Sequence, residues 1–290
     1  MLDPDQLAAL AAILRTGSFD RAAAALNVTP PAISQRIRAL EDRIGTALIV
    51  RGQPCTATPA GARLARHAED AALLEASALA DLGSKLTTAT VRITVNADSL
   101  ATWVLPALAA VPDLLFDMVI DDQDHSAGLL KRGEVQAAVT SHPGPLQGCD
   151  TYPLGALRYV ATASPAFAAR WFPDGLTRDA LARAPALRFN DKDRLQDDWA
   201  AGVAGERIAL PTHRIASSTA FVDAAYLGIG WGMNPEPLVR DHLRAGGLIA
   251  LAPDAPLDVP LHWQVARLTA KALKPLTTSI RRAAEAVLIA

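Results

Sequence analysis

A helical pattern of hydrophobic residues near the start of the chain predicts two short helices joined by a tight turn, within residues 18–43. In the second helix the apolar positions follow at steps of four, three and four residues: Ile33, Ile37, Leu40 and Ile44. At about 100° per residue, these steps place all four side chains on one narrow stripe. The stripe predicts packing against a partner, and the alanine run at 22–25 would let the preceding helix approach closely.

Capping residues indicate where these two helices begin. Ser18 can cap the first helix and Thr29 the second, because their hydroxyls can accept hydrogen bonds from the first backbone N–H groups of a helix. Pro30 follows Thr29 at the first helical position, where its missing N–H costs nothing. The pattern therefore predicts a helix, a turn and a second helix that begins after Thr29.

The opposite face of the second helix is mostly polar. It presents a hydroxyl, an amide and a guanidinium, which are groups that read base edges and phosphates in DNA. The residues on this face are Pro31, Ser34, Gln35, Arg38 and Asp42. The arrangement is typical of a DNA-recognition helix. The alternative interpretation is an ordinary helical hairpin whose polar face is merely solvated.

The next residues favour DNA binding. Residues 48–52 are prone to form a strand, and residues 53–56 can return the chain as a hairpin, or wing. Thr58 and Pro59 then begin a further helix. This order of elements closely resembles the winged helix-turn-helix of the LysR-type transcriptional regulators. The matching segments are Gly17-Ser18-Phe19, Thr29-Pro30-Pro31-Ala32-Ile33-Ser34, Arg51 and Thr58-Pro59-Ala60-Gly61.

The resemblance implies a domain over residues 1–58 that binds double-stranded DNA. Pro31 stands where the family usually has a small polar residue, and Arg51 in the wing is expected to contact a phosphate. The candidate DNA-binding residues are Ser18, Thr29, Pro31, Ser34, Gln35, Arg38 and Arg51.

A long helix is predicted from Pro59 to about Leu86, with a small polar linker near 83–90. An apolar stripe runs along it at near-heptad spacing: Leu64, Ala68, Ala71, Leu74, Ala78 and Leu82. The resemblance implies that residues 59–89 form the dimerisation helix and linker of a homodimer or homotetramer. Packing of this stripe on the helix's own wing domain would account only for its first two turns.

Strands alternate with helices from residue 90 onward, which predicts an α/β domain over 90–290. Strands are expected at Val91–Val95, Leu114–Ile120 and Arg207–Leu210, among others, and Ser99 is expected to cap a helix that runs through Leu108. The pattern resembles the two-lobed, periplasmic-binding-protein-like effector domain of the same family. The lobes are expected at about 90–162 with 268–290, and at about 163–267.

Charge and composition add constraints on function. Residues 1–66 carry eight arginines and five acidic residues, so their net charge is +3 although the whole chain is at −2. This modest positive charge favours an oligomer on two DNA half-sites. No apolar run approaches the roughly 18 residues of a membrane span. The start of the chain has no signal-peptide pattern, which predicts a cytoplasmic protein.

Catalytic and metal-binding motifs are not evident in the sequence. Gly228-Ile229-Gly230-Trp231-Gly232 follows a predicted helix instead of a strand, so a dinucleotide-binding loop is not expected there. The six histidines are scattered, and Cys55 and Cys149 lie far apart without metal-type spacing. The sequence therefore predicts neither an enzyme nor a bound cofactor.

A small-molecule site is predicted at the carboxyl ends of the strands. Helix starts at Asp98-Ser99 and at Ser217-Ser218-Thr219 suit a carboxylate, whereas acids grouped at 98 and 121–124 would hold an ammonium or guanidinium. Together they match an amino acid with a cationic side chain. The candidate residues are Asp98, Ser99, Trp103, Asp122, Asp124, Thr140, Ser217, Ser218 and Asp223. For any one aspartate, a solvated cap or turn is the alternative interpretation.

Residues 96–103, 121–124 and 51–55 are similar to the lysine- and arginine-sensing ArgP/LysG branch of the LysR-type regulators. This similarity implies an activator of a basic amino-acid exporter gene that contacts RNA polymerase when activating. Two alternatives are a regulator of the same fold with a non-basic effector and, from a different class, a soluble solute-binding protein or an enzyme.

Overall fold

A computed structural model of the chain describes residues 2–83, 89–121 and 126–290. Two compact units are present: one comprises the chain up to Val91 with Asp113–Asp117, and the other comprises Arg92–Pro112 with Met118–Ala290. The candidate residues Asp122 and Asp124, and the predicted linker residues 84–88, lie outside the described residues.

The first unit has the predicted order of helices followed by a wing. Its elements are α1 (Pro4–Thr16), α2 (Phe19–Ala25), α3 (Pro30–Ile44), β1 (Ile49–Val50), β2 (Thr56–Ala57) and α4 (Pro59–Asp81). The caps at Ser18, Thr29 and Thr58 are confirmed, since each side-chain oxygen accepts a hydrogen bond from an N–H group of the first helical turn. β1 and β2 pair antiparallel as the wing hairpin.

The apolar stripe of α3 lies in the core of this unit. Ile33, Ile37 and Leu40 are at most 1 % exposed and pack in one cluster with Leu10 of α1. Burying side chains of this size contributes about 1.5–3 kcal/mol each to the free energy of unfolding. Ile44 departs from the prediction and is 39 % exposed, because α3 ends at this residue.

Two contacts attach the wing to the helices. The Glu41 carboxylate of α3 accepts a hydrogen bond from the backbone N–H of Leu48, at 2.8 Å. Gly61, in the first turn of α4, lies directly against the Leu48 carbonyl, and a Cβ atom at Gly61 would overlap that backbone. This close approach explains the glycine in the Thr58–Gly61 motif.

α4 ends earlier than the sequence predicts. It stops at Asp81 instead of about Leu86, because Leu82 forms a turn and Gly83 adopts a left-handed φ of 82°. Leu64 and Ala68 pack against the core of the unit. Farther along the same stripe, Ala71, Leu74, Ala78 and Leu82 are exposed, so packing within the unit accounts for the first turns only.

The second unit is α/β, as predicted. Its strands, together with β3 and β4, whose first residues belong to the first unit, are β3 (Ala89–Val95), β4 (Leu114–Ile120), β5 (Ala137–Thr140), β6 (Cys149–Ala163), β7 (Ala186–Arg188), β8 (Thr212–Arg214), β9 (Gly232–Pro235), β10 (Ile249–Ala250) and β11 (Leu257–Ala266). Seven of them form one mixed sheet in the order β10-β6-β11-β5-β3-β4, with β9 also paired to β6. β7 and β8 form a separate parallel pair.

Helices cover these strands. They are α5 (Ala97–Ser99), α6 (Leu105–Ala109), α7 (Ser126–Lys131), α8 (Pro165–Trp171), α9 (Arg178–Leu181), α10 (Leu195–Ala204), α11 (Ser218–Tyr226), α12 (Glu236–Arg244), α13 (Arg267–Ala270) and α14 (Lys274–Glu285). The long strands β6 and β11 pair antiparallel along almost the whole length of β11. This is the longest strand pairing in the sheet, and α14 packs on both strands.

Three local predictions in this unit are wrong. The cap before residue 100 is Asn96, whose side chain accepts a hydrogen bond from the Ser99 N–H, and the cap is not Ser99 itself. The helix expected through Leu108 is interrupted by a π-type turn at Leu100–Val104. Pro106, which cannot donate a helical hydrogen bond, follows that turn at the start of α6.

The third wrong prediction is a strand at Arg207–Leu210. The ladder with β7 instead begins at Thr212, which pairs with Ala186. Pro211 precedes it and has no N–H to donate to a neighbouring strand. Residues 207–210 therefore belong to no strand, and pairing starts only beyond the proline.

Candidate functional site

The polar face of α3 is open to solvent. Pro31, Gln35 and Arg38 are exposed and Ser34 is half-buried. The hydroxyls of Ser18 and Thr29, two further candidates, already accept backbone hydrogen bonds at the starts of α2 and α3. Ser34, Gln35 and Arg38 are therefore the side chains of this face best placed to contact another molecule.

The basic residues of α3 differ in their surroundings. Arg36 donates to the Asp5 carboxylate at 2.7 Å and so ties α3 to α1. Arg38, two positions later, makes no ion pair within the part of the chain that the structure describes. Of these two arginines, only Arg38 has an exposed guanidinium that is not used in an ion pair within the described residues.

Arg51 lies in the wing hairpin, between β1 and β2. Its guanidinium lies 5.3 Å from the centre of the Phe19 ring at the start of α2, a cation–π distance. The wing is held there by a hydrogen bond from the Cys55 N–H to the Gly17 carbonyl, at 2.9 Å. Arg51 is therefore oriented by an aromatic ring while its charge stays exposed.

The second unit contains a cavity of about 380 Å³ at the ends of its strands. A volume in this range suits a small metabolite. Its wall combines apolar side chains with four carboxylates and two cationic groups. The lining residues are Asn96, Ala97, Asp98, Ile120, Asp121, Tyr159, Phe189, Asn190, Lys192, Asp193, Arg194, Leu195, Asp198, Ser218, Phe221, Met233, Asn234, Pro235 and Val259.

Asp98 is the centre of a hydroxyl network in this wall. The Ser218 hydroxyl at the start of α11 donates to one carboxylate oxygen at 2.6 Å, and the Tyr159 phenol of β6 donates to the other at 2.9 Å. Tyr159 is only 1 % exposed. Because hydrogen bonds to a carboxylate favour its charged form, this network holds a negative charge at the cavity wall.

Asp121 provides a second carboxylate, just after β4. The Lys192 ammonium donates to it at 2.9 Å. Lys192 comes from the turn between β7 and α10, where the Asn190 side chain accepts hydrogen bonds from the N–H groups of Lys192 and Asp193. The turn therefore holds the backbone of Lys192 in a defined conformation.

An ion pair beside the cavity joins β6 and β11, the two longest strands of the sheet. Arg158 of β6 donates two hydrogen bonds of 2.8 Å to Asp258 of β11, next to the lining residue Val259. The hydrogen-bonded guanidinium lowers the pKa of the Asp258 carboxyl below its usual value. The pair is charge-assisted and bidentate, a geometry that fixes strand register.

The structure brings Asp98 and Ser218 to the cavity, as well as Asp121, but leaves other candidates away from it. Ser99 is fully buried and Trp103 is 1 % exposed. Neither residue lines the cavity: Ser99 follows Asp98 directly and so lies on another side of α5, and Trp103 lies in the π-type turn that comes next.

The remaining candidates also lie outside the lining. Thr140 is buried at the end of β5, where its hydroxyl accepts from the His142 N–H. Ser217 caps α11. Asp223 is exposed on α11, five positions after Ser218 and hence on another side of that helix.

Several lining residues were not singled out from the sequence: Tyr159, Phe189, Asn190, Lys192, Asp193, Arg194, Asp198 and Asn234. One signal was available for the segment from 190 to 194, where the run Asn-Asp-Lys-Asp-Arg follows a strand and precedes a helix. In an α/β sheet such a connection lies at the carboxyl edge, where ligands bind. Tyr159, inside a long strand, offered no comparable signal.

The described residues give no support to a metal site, a disulfide bond or a membrane-spanning helix. Among them, no three histidine, cysteine or acidic side chains are grouped so as to hold a metal ion. Cys55 and Cys149 are both free thiols. In the same part of the chain, no helix is long and apolar enough to cross a membrane.

Comparison with known protein families identifies both units. Residues 4–62 match the family described as "Bacterial regulatory helix-turn-helix protein, lysR family", and residues 84–288 match the "LysR substrate binding domain". The chain belongs to the LysR family of transcriptional regulators. Its fold is thus a winged helix-turn-helix followed by an effector-binding domain, and it is a DNA-binding regulator, not an enzyme.

The similarity to individual LysR-family relatives covers nearly the whole chain. The transcriptional regulator LysG of Mycobacterium tuberculosis is 45 % identical over 285 residues, 98 % of this chain and 94 % of the relative. The crystal structure of ArgP from Mycobacterium tuberculosis superposes with a TM-score of 0.82 at 44 % identity, covering 100 % of this chain and 99 % of that one.

A third relative carries a ligand. The "Lysine export transcriptional regulatory protein LysG" of Corynebacterium glutamicum is 36 % identical over 291 residues, 98 % of each chain. Its full-length structure "with bound effector Arg" superposes on this chain with a TM-score of 0.67 at 35 % identity, covering 99 % of this chain and 100 % of that one. Similarity to the ArgP and LysG regulators is therefore shown by sequence and by structure.

Proposed function

We propose that this LysR-type regulator senses lysine or arginine and controls the gene of a basic amino-acid exporter. The observation that carries the proposal is the charge of the cavity wall, where four carboxylates outnumber two cationic groups. A wall with excess negative charge favours a ligand that brings a positive charge. The arginine in the Corynebacterium LysG structure, and that relative's name as a lysine-export regulator, support the same ligand class.

Both ends of a basic amino acid have suitable groups in the cavity. Asp98 and Asp121 offer carboxylates to an ammonium or guanidinium. The start of α11, beside the Ser218 hydroxyl, offers backbone N–H groups to the α-carboxylate. Arg194 is a further anion-binding group in the wall. The Asp122 and Asp124 side chains remain candidates for the cationic end.

DNA recognition is assigned in this proposal to the exposed face of α3 and to the wing. Ser34, Gln35 and Arg38 would contact base edges or phosphates, with Ser18, Thr29 and Pro31 near the backbone and Arg51 on a phosphate. The exposed stripe of α4 would pair two copies of the chain as a homodimer, or as part of a homotetramer. In the cytoplasm, the activating form would contact RNA polymerase.

Effector binding can regulate transcription only if it favours one arrangement of the protein over another. Calorimetric titration of the full chain with L-arginine and L-lysine tests the ligand. Asp98→Asn keeps the shape of the side chain but removes its charge, and a charge-assisted hydrogen bond contributes about 1.5–3 kcal/mol. We therefore expect both affinities to fall about tenfold or more.

Asp223→Asn is the matched control, since Asp223 is an exposed aspartate of α11 outside the cavity. We expect this variant to bind both amino acids as the unchanged protein does. Equal affinities for the Asp98→Asn variant and the unchanged protein would contradict the assignment of Asp98. Absence of any binding of lysine or arginine to the unchanged protein would overturn the proposed function.

A further inference from the structure

The ion pair between Lys192 and Asp121 lies in the wall of the effector cavity, with a distance of 2.9 Å between Nζ and Oδ1. We propose that Lys192 acts as an internal competitor of the effector: its ammonium holds the carboxylate that the effector's side-chain cation takes when it binds. This inference rests on the proposed function, because it requires a ligand with a cationic side chain.

The four carboxylates of the wall are not equivalent. Asp98 accepts from two hydroxyls, and Asp193 accepts from the backbone N–H groups of Phe189 and Leu195. Asp121 forms an ion pair with the Lys192 ammonium, which also lies in the wall, and its side chain is 23 % exposed. Asp121 therefore already binds the same chemical group that a lysine effector would present.

The turn that carries Lys192 is braced on both sides. Asn190 and Asp193 accept backbone hydrogen bonds within the turn, as described above. Immediately outside it, Arg188 donates to both oxygens of Asp197 at 2.7 Å, and less than a fifth of each of these two side chains is exposed. Because the backbone is braced, pairing with Asp121 restricts the side chain of Lys192 without also having to order its backbone.

Competition gives the pair two consequences. A ligand with a cationic side chain can replace Lys192 and leave Asp121 still paired, so one ion pair is exchanged for another. A ligand with a neutral side chain cannot, and it must leave the Lys192–Asp121 pair intact. The pair therefore raises the concentration of a cationic effector needed for binding, and it leaves the affinity for neutral amino acids of the same shape unchanged.

The alternative role for Lys192 is to bind the effector's α-carboxylate. The two roles have opposite effects on ligand affinity. A competitor weakens binding, so its removal strengthens the affinity for arginine and lysine. A carboxylate anchor strengthens binding, so its removal weakens the affinity for every amino acid. The existing contact with Asp121 favours the competitor role, because Lys192 already has an anionic partner.

The test is calorimetric titration of the full-length protein with L-arginine and with L-citrulline, which has arginine's shape but a neutral side chain. Lys192→Gln should tighten arginine binding about two- to fivefold, as expected for a partly exposed ion pair. Citrulline affinity should not change. Asp121→Asn should weaken arginine binding, and adding Lys192→Gln to that variant should have no further effect.

Arg178→Gln is the matched control, because it also removes one positive charge and its ion pairs, here with Glu206 and Asp179, away from the cavity lining. It should leave arginine affinity unchanged. Weaker arginine binding by Lys192→Gln, an unchanged affinity, or equal tightening for citrulline would overturn the competitor role. If arginine does not bind the unchanged protein at all, the proposed function itself has failed.

Discussion

The two units of this chain place their functional groups in opposite ways. In the first unit, Gln35 and Arg38 lie on one continuous helix and point into solvent. In the second unit, Asp98, Tyr159 and Ser218 come from distant parts of the chain and hydrogen bond to one another. The first surface has side chains ready for an external partner, whereas in the second the Asp98 carboxylate already accepts hydrogen bonds from Tyr159 and Ser218.

This difference teaches what each unit needs for function. A single reading helix with a modest positive charge is expected to bind DNA weakly, which supports the proposal that two copies act together. The lining residues of the cavity all belong to the second unit, so we expect this unit to bind a small molecule by itself. Substitutions in one unit should therefore leave the binding activity of the other intact, and the predictions below test that independence.

The largest effect is expected from Leu74→Lys on α4. Leu74 is 37 % exposed in the single chain and lies on the stripe proposed to pair two copies. Burying an unpaired ammonium there costs several kcal/mol, so the protein should shift toward monomer and lose operator affinity. Sedimentation or light scattering measures the mass, and calorimetry should show unchanged arginine affinity.

Ala80→Lys is the control for Leu74→Lys, since Ala80 is exposed on the opposite side of α4. It adds the same charge and should leave the dimer in place. A Leu74→Lys protein that remains dimeric would show that this stripe is not the contact between copies. Loss of arginine binding together with the dimer would break the independence of the two units.

An intermediate effect is expected from Arg38→Ala. If Arg38 contacts a base, specific operator affinity should fall by about 1–3 kcal/mol. Arg43→Ala removes the same charge from an exposed position about 140° around α3 and should have a much smaller effect. Gel-shift titration measures both, and equal losses would mean that charge alone, and not the α3 face, determines binding.

The smallest effect is expected from Arg51→Ala in the wing. A phosphate contact carries no sequence information, so this variant should weaken specific and non-specific DNA binding alike. The slope of log affinity against log salt should become shallower by about one. A selective loss of operator binding with an unchanged salt slope would instead place Arg51 on a base.

The DNA-binding unit could be predicted in detail because its signals are local. The caps at Ser18 and Thr29 and the stripe from Ile33 to Leu40 all act within one or two helical turns. The exposed Ile44 and the early end of α4 were missed, since both depend on how the chain turns after the helix. The functional face followed from the buried stripe, because the two lie on opposite sides of one helix.

The cavity could be predicted only in outline because its contacts are not local. Asp98 and Ser218 were identified from helix starts, yet Tyr159 and Ser218 meet Asp98 from 61 and 120 positions away, and Lys192 meets Asp121 from 71 positions away. Neither periodicity nor capping specifies those pairs. Trp103 and Ser99 were singled out as neighbours of Asp98 in sequence, yet both are buried outside the cavity lining, so their contact with an effector stays a prediction.

The most direct test of the central claim is a thermal-shift screen of the full-length protein against the twenty amino acids. A ligand at a hundred times its Kd stabilises the folded state by about 2.7 kcal/mol. For a unit of this size that corresponds to roughly 5–10 °C in Tm. Lysine and arginine should raise the Tm by this amount and neutral amino acids should raise it far less. A shift with a neutral or acidic amino acid, and none with lysine or arginine, would contradict the account.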